Sequence, residues 1–156
     1  MAKEVEAQPG KDAAGAFNMQ DWPFYWLTRF TGRYLQKMEL SLKPLGLDIA
    51  RWRVLMTLHN VEARSVSEIA DHALAKLPTM TKVIQRMQAD GLVDCRQSNV
   101  DGRVTMVTLT ETGRDASRKA LAIAQGIYLR AFEDVSGGDI ATLNRLLRTI
   151  TRNLAD

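Results

Sequence analysis

At 156 residues, with 46% hydrophobic and 25% charged content, the chain has enough apolar material for one domain, or for two small lobes. A single cysteine excludes an internal disulfide. With no signal-peptide pattern and no apolar run near about 18 residues, a soluble, cytoplasmic protein without a membrane span is expected. The net charge of +3 is spread evenly. Residues 1–47, 48–118 and 119–156 hold 6, 10 and 5 basic residues against 5, 9 and 4 acidic ones, so each third carries +1. Any nucleic-acid reading must therefore rest on local charge.

Helices are predicted nearly throughout. Residues 1–17 are polar and interrupted by Pro9, Gly10 and Gly15, and a disordered arm is expected over 1–20. Asp21 is placed to cap a first helix, with Pro23 in its first turn, where a missing N–H costs little. Trp26, Leu27, Phe30, Tyr34, Leu35, Met38 and Leu42 keep helical spacing to about Lys43, and Pro44 and Gly46 end it. Asp48 caps a second helix, Ile49 to His59. Ser65–Val66–Ser67–Glu68 is a capping box that opens a short third helix ending near Ala73. A fourth begins at Leu77–Pro78, buries Met80, Val83, Ile84 and Met87, and stops at Gly91, a residue suited to the left-handed conformation of a helix C-terminus.

Leu92–Gln97 and Arg103–Leu109 then read as the strands of a hairpin, the second alternating Val104, Met106, Thr108 against Thr105, Val107, Leu109. Thr110 caps a long fifth helix to about Val135, Ser136–Asp139 breaks and restarts the chain, and the last helix carries Ile140, Leu143, Leu146, Leu147, Ile150 and Leu154 on one stripe. The expected fold is mainly α with a small β-wing: a winged helix-turn-helix lobe (48–110) between an N-terminal helix (21–47) and C-terminal helices (111–156) whose apolar faces suit dimerisation. Helix, two-stranded wing, helix is a build that reads duplex nucleic acid with one helix in the major groove and the wing on the flank.

Local charge supports that reading. Between Lys76 and Ala89 the fourth helix has Lys76, Lys82 and Arg86 and no acid, whereas the third carries Glu68 and Asp71. Thr79, Lys82, Gln85 and Arg86, with Thr81 beside them, lie opposite the core stripe and carry groups able to bond base edges and phosphates. On an isolated helix the same residues would be an ordinary solvated face. At the wing tip, Asp101 and Arg103 flank Gly102, which permits a tight turn. A carboxylate two residues from a guanidinium can orient it for a narrow minor groove, although the same pair can be no more than a hairpin ion pair.

Asp90–Gly91–Leu92–Val93, Asp101–Gly102–Arg103 and Val107–Thr108–Leu109–Thr110–Glu111–Thr112–Gly113 together resemble the MarR family of bacterial transcription regulators, with its G-L-V/I, D-x-R and L-T-x-x-G pattern. The likeness extends through Ser65–Ala70 and Pro78–Lys82 and covers about residues 20–155. It implies a homodimer with a triangular helical body that represses genes through palindromic operators and is relieved by a small ligand or an oxidant. The chain departs from the pattern at Gly102, where a second arginine is common, and at Ala73–Lys76, which lacks a polar cap before the fourth helix.

Seven of the ten aromatic residues fall between Phe17 and Tyr34, interleaved with Arg29 and Arg33. The resemblance places the first two helices at a ligand pocket. An aromatic wall with cations suits an aromatic carboxylate or an acyl-CoA thioester, with Trp22, Tyr25, Trp26, Arg29, Phe30, Arg33, Trp52 and His59 as candidate lining. A dimer-interface core would use the same residue types. Cys95 on the first wing strand is the candidate for an oxidant-sensing alternative, yet no neighbour in sequence promises a lowered pKa. His59, His72 and one cysteine are too few for a metal site, no cofactor is implied, and neither histidine lies in a catalytic motif, so an enzyme is not expected. A helical protein–protein adaptor would need neither a basic fourth helix nor an arginine-tipped wing.

Overall fold

The computed structural model describes residues 17–155. Of the arm expected over 1–20, residues 1–16 lie outside the described residues, and the rest enters a 3-10 turn at Met19–Asp21. The elements that follow are α1 (Pro23–Leu42), α2 (Ile49–Leu58), β1 (Arg64–Ser65), α3 (Val66–His72), α4 (Leu77–Ala89), β2 (Val93–Gln97), β3 (Thr105–Leu109), α5 (Glu111–Ala131) and α6 (Gly137–Asn153). The strands form one antiparallel sheet in the order β1-β3-β2.

Side-chain caps set most of the helix starts. Asp48 accepts from the Arg51 N–H at 2.8 Å, Thr110 from Gly113 at 3.0 Å and Ser136 from Asp139 at 3.1 Å. The Ser65–Glu68 capping box is complete: Ser65 Oγ accepts from Glu68 N–H, and the Glu68 carboxylate accepts from Ser65 N–H at 2.7 Å. Gly91 ends α4 at φ 70°, which lets the Leu92 N–H reach back to the Met87 carbonyl.

Four local expectations change. Asp21 does not cap α1: it belongs to the preceding 3-10 turn and accepts from the Asn18 amide at 2.8 Å, leaving Trp22 at the cap position without a side-chain bond. α5 ends at Ala131 rather than Val135, because Asp134 takes φ 62° and turns the chain into α6. Gly102 is not in the left-handed region and a Cβ there would meet nothing within 4 Å, so the wing turn does not depend on glycine. β1, two residues long, was too short to show in any periodicity, yet it pairs Arg64 with Val107 and Ser65 with Met106.

The core lies in the winged-helix lobe. Leu55 and Leu58 of α2, Ile69 of α3, Met80, Ile84 and Met87 of α4, and Val93 and Val107 of the sheet close on one another, with Met38 and Leu42 from α1 and Ala120 from α5. Val83 is only half-buried. No described residue of α6 is buried: its Leu143, Leu146 and Ile150 are exposed beside Trp26 and Phe30 of α1. Gly113 explains the last glycine of the motif. The first turn of α5 packs so closely on the start of β2 that a Cβ there would overlap the Leu92 carbonyl oxygen and come within 3.3 Å of a Leu109 methyl carbon. Gly113→Ala is therefore expected to destabilise the fold by about 1–3 kcal/mol, whereas Gly102→Ala should stay within about 0.5 kcal/mol of the parent. Urea unfolding at one protein concentration measures both, and an unchanged midpoint for Gly113→Ala would contradict the close packing.

Candidate nucleic-acid interface

Amphipathic α4 buries Met80, Ile84 and Met87 and leaves Thr79, Lys82, Gln85 and Arg86 exposed. Neither Lys82 nor Arg86 has a carboxylate within ion-pair distance among the described residues. Thr81 is half-buried and its hydroxyl donates to the Leu77 carbonyl at 2.9 Å. A groove of about 400 Å³ separates α4 from the wing, lined by Thr81, Gln85 and Gln88 on one side and by Cys95, Arg103 and Thr105 on the other. Thr81, Gln85 and Arg103 thus share one groove, while Thr79, Lys82 and Arg86 form the adjoining outward stripe.

The wing tip holds the predicted pair. Arg103 Nε donates to Asp101 Oδ1 at 3.1 Å and its terminal nitrogen to Oδ2 at 3.2 Å, while the Arg103 backbone N–H also reaches Oδ1 at 3.0 Å. The Arg103 side chain is 91% exposed, so its guanidinium is oriented without the side chain being covered. Ser98 braces the tip by accepting from the Val100 N–H at 3.2 Å. At the other end of α4, Arg51 reaches Asp90 at 2.6 Å and also donates to the Gly46 carbonyl. Arg53 donates to the Ala73 carbonyl at the end of α3. Local sequence spacing does not single out these two arginines, because their partners lie 39 and 20 residues away.

The expected effector residues separate into groups. Phe30 and Arg33 line a crevice of about 250 Å³ with Tyr34, Lys37, Ile127 and Arg130. Tyr34 stacks on Phe30 at 6.3 Å and meets Trp52 edge-on at 6.1 Å. Trp52 Nε1 is buried and has no hydrogen-bond partner among the described residues. Burial pushes the Tyr34 hydroxyl up, against the opposing charge of Arg53. Trp22 and Tyr25 belong instead to two separate edge-to-face contacts at the start of α1, Trp22 with Phe24 and Tyr25 with Trp26, and Arg29 lies over the Tyr25 ring at 5.2 Å. Trp26 lines the apolar groove beneath α6. His59 is not at the crevice. Its Nδ1 is 2.8 Å from Ser117 Oγ at the α2–α5 contact, because the last turn of α2 faces α5, and the ring borders a separate cleft beside Arg96 and Arg114. Lys37 and Arg130, which do line the crevice, escaped a reading that looked only for cations among the aromatics of one helix. Burial, and then the Asp94 charge, push the Cys95 thiol up, opposite to what a reactive thiolate needs. Among the described residues no three His, Cys, Asp or Glu side chains cluster as a metal site, and no helix is long and apolar enough to cross a membrane.

The MarR family profile matches residues 47–105, the span from just before α2 to the first residue of β3. The HTH-type transcriptional repressor IacR of Pseudomonas putida is 44% identical over 142 residues, 91% of this chain and 85% of that protein. The chain belongs to the MarR family. It is a winged helix-turn-helix, DNA-binding transcription regulator and not an enzyme. Two solved structures share the MarR fold. CouR from Rhodococcus jostii RHA1, bound to p-coumaroyl-CoA, has a TM-score of 0.80 at 20% identity, covering 90% of this chain and 99% of its own. BpsR of Bordetella bronchiseptica, regulated by 6-hydroxynicotinic acid, has 0.72 at 23%, covering 82% and 97%.

The wing pair carries a pH signature of its own. Bonds from the Arg103 side chain, and then from its backbone N–H, hold the Asp101 carboxyl below the usual carboxylate range. Because folding lowers this pKa, whatever the pair contributes is present above the ordinary Asp value and is lost only as the pH falls through the lowered one. An NMR titration of the Asp101 carboxyl should show a depressed pKa in the parent and a return toward about 3.9 in Arg103→Ala. Equal values in the two proteins would show that the guanidinium does not hold the carboxylate.

Proposed function

We propose that this MarR-family protein is a homodimeric repressor that binds a palindromic operator and is released by an anionic aromatic effector, free or as its CoA thioester. The apolar stripe of α6, exposed beside α1 and the end of α5, supports a second copy as its cover. Two-fold pairing presents two α4 helices to successive major grooves, about 34 Å apart, which calls for an inverted repeat. Thr79, Thr81, Lys82, Gln85 and Arg86 then face bases and phosphates, and Arg103, steadied by Asp101, faces the flanking minor groove.

On this reading light scattering gives twice the 17.5 kDa chain mass. Arg103→Ala weakens duplex binding and alters preference in the A·T-rich flanks, while Lys82→Ala loses affinity more uniformly and lowers the salt slope by about 1. A monomer mass at micromolar concentration, or an Arg103→Ala protein that binds as tightly as the parent, contradicts it.

The observation that carries the effector assignment is the crevice between α1 and α5. It joins the Phe30 and Tyr34 rings to Arg33, Lys37 and Arg130, none of them paired with a carboxylate among the described residues. Rings supply stacking and the cations meet a carboxylate or phosphates. The ligands of CouR and BpsR, an aromatic acyl-CoA and an aromatic acid, agree in chemistry. An effector needs a preference of only about 1.4 kcal/mol for the DNA-incompetent form to cut occupancy tenfold. Titrating aromatic acids and their CoA thioesters into the protein–duplex complex is expected to release DNA. Arg33→Ala should raise the concentration required about tenfold, and Arg29→Ala, whose guanidinium lies on Tyr25, should change it much less. Release unchanged in Arg33→Ala removes that residue from the mechanism. Peroxide-driven release that Cys95→Ser abolishes, with no response to the panel, moves the switch to the thiol.

A further inference from the structure

Three side chains on the groove side of α4 bear on which bases this regulator reads, a question that goes beyond its being a DNA-binding protein. Leu77, Thr81 and Gln85 stand at i, i+4 and i+8 and line the same groove beside the wing. Leu77 is 50% exposed at the first helical position, an apolar side chain left facing solvent. Thr81 has its hydroxyl hydrogen committed to the Leu77 carbonyl at 2.9 Å. What it can offer a partner is a methyl group and hydroxyl lone pairs, with no donor. Gln85 is exposed, and its amide has no hydrogen-bond partner among the described residues, so both its donor and its acceptor are free.

The major-groove edges of the bases meet this set unequally. The Gln85 carboxamide alone could bond a guanine acceptor or the cytosine N4 donor, but only an A·T pair uses its donor and acceptor together and also offers a methyl to the apolar groups. Guanine presents only acceptors, N7 and O6, and neither Leu77 nor Thr81 has a donor for them. Thymine presents a methyl group, which an apolar side chain and a threonine methyl can cover. Adenine presents an N7 acceptor beside an N6 donor, the complement of a free carboxamide. The cations Lys82 and Arg86 occupy the next stripe around the helix, placed for phosphates.

We propose that Leu77, Thr81 and Gln85 make α4 a reader of A·T pairs. Gln85 takes the N6/N7 edge of an adenine, and the Thr81 methyl with Leu77 takes the methyl of a thymine in the same half-site. Four residues advance about 6 Å along a helix, so the two bases stand roughly two base-pair steps apart. The assignment rests on α4 being the helix that enters the major groove.

The test uses duplexes that the full-length parent protein selects from a random library, followed by anisotropy titrations with single-group base changes. Uracil in place of thymine deletes only the methyl, and 7-deazaadenine deletes only the N7 acceptor. In the parent, one thymine-to-uracil change per half-site should weaken binding about threefold or more. Thr81→Ser, which keeps the Leu77 contact, should lose part of that sensitivity, and the double variant Leu77→Ala/Thr81→Ser should be nearly indifferent to it. One 7-deazaadenine per half-site should weaken the parent about tenfold and leave Gln85→Ala unaffected. The proposal is overturned if the parent is indifferent to every thymine methyl, or if the variants keep the parent's sensitivity to the altered group. It is equally overturned if Gln85→Ala loses affinity alike on selected and unrelated duplexes, the mark of a phosphate contact. Duplexes selected with G·C pairs under α4 count against these three residues alone. A library from which no duplex is retained counts against the nucleic-acid reading itself.

Discussion

The junction at Gly91–Leu92 and Thr110–Gly113 holds the molecule's parts in register. Thr110 donates its hydroxyl to the Gly91 carbonyl at 2.6 Å and accepts from the Gly113 N–H, while its own N–H donates to the Leu92 carbonyl. Gly113, without a Cβ, lets α5 start against that same carbonyl. The end of α4, the base of the wing and the beginning of α5 are thereby tied within a few residues of each other. Arg51 adds α2 to the knot through Asp90. Each bond is worth only about 1 kcal/mol, but together they leave α4 no independent tilt. These contacts couple the winged-helix lobe to the start of α5.

That constraint gives the proposed switch its mechanics. From Gly113 to Arg130 α5 runs about 25 Å at helical rise. Its start is locked to α4, and its far end lines the crevice through Ile127 and Arg130. A ligand that spreads α1 from α5 acts on one end of a stiff rod whose other end carries the reading helix. In a dimer two such rods face each other, and the spacing of the two α4 helices is the quantity a palindrome measures. Small movements at the crevice are enough, because packed helices exchange between discrete arrangements rather than deforming continuously.

What the sequence made legible follows from the range of each interaction. Asp48, Ser65 with Glu68, and Thr110 bond three residues ahead, so their caps could be read directly, as could the left-handed turn at Gly91. The wing pair was visible for the same reason, with Asp101 and Arg103 two residues apart. Asp21 misled because an additional 3-10 turn, stabilised by Asn18, moved the cap position on by one residue. The effector residues needed tertiary information. Lys37 and Arg130 come together from helices about 90 residues apart in sequence, and His59 faces Ser117 on account of how α2 packs on α5. Periodicity places a side chain on a face, but only packing says what that face meets.

The separation of the two sites carries the last consequence. The crevice residues Phe30, Arg33, Tyr34, Lys37 and Arg130 share no member with the groove between α4 and the wing. An effector in the crevice therefore cannot compete with DNA by occupying its contacts, and the linkage has to be conformational. Conformational linkage is reciprocal: whatever factor the effector takes from operator affinity, the operator takes from effector affinity. The even spread of charge along the chain fits this arrangement. Were the whole body strongly basic, its attraction to DNA would persist in either conformation, and a change in helix spacing would release little of it. With Lys82 and Arg86 of α4 unpaired among the described residues and the Arg103–Asp101 pair of the wing beside them, the affinity of the proposed dimer depends on both half-sites being met at once, and a modest change of spacing is enough to end it.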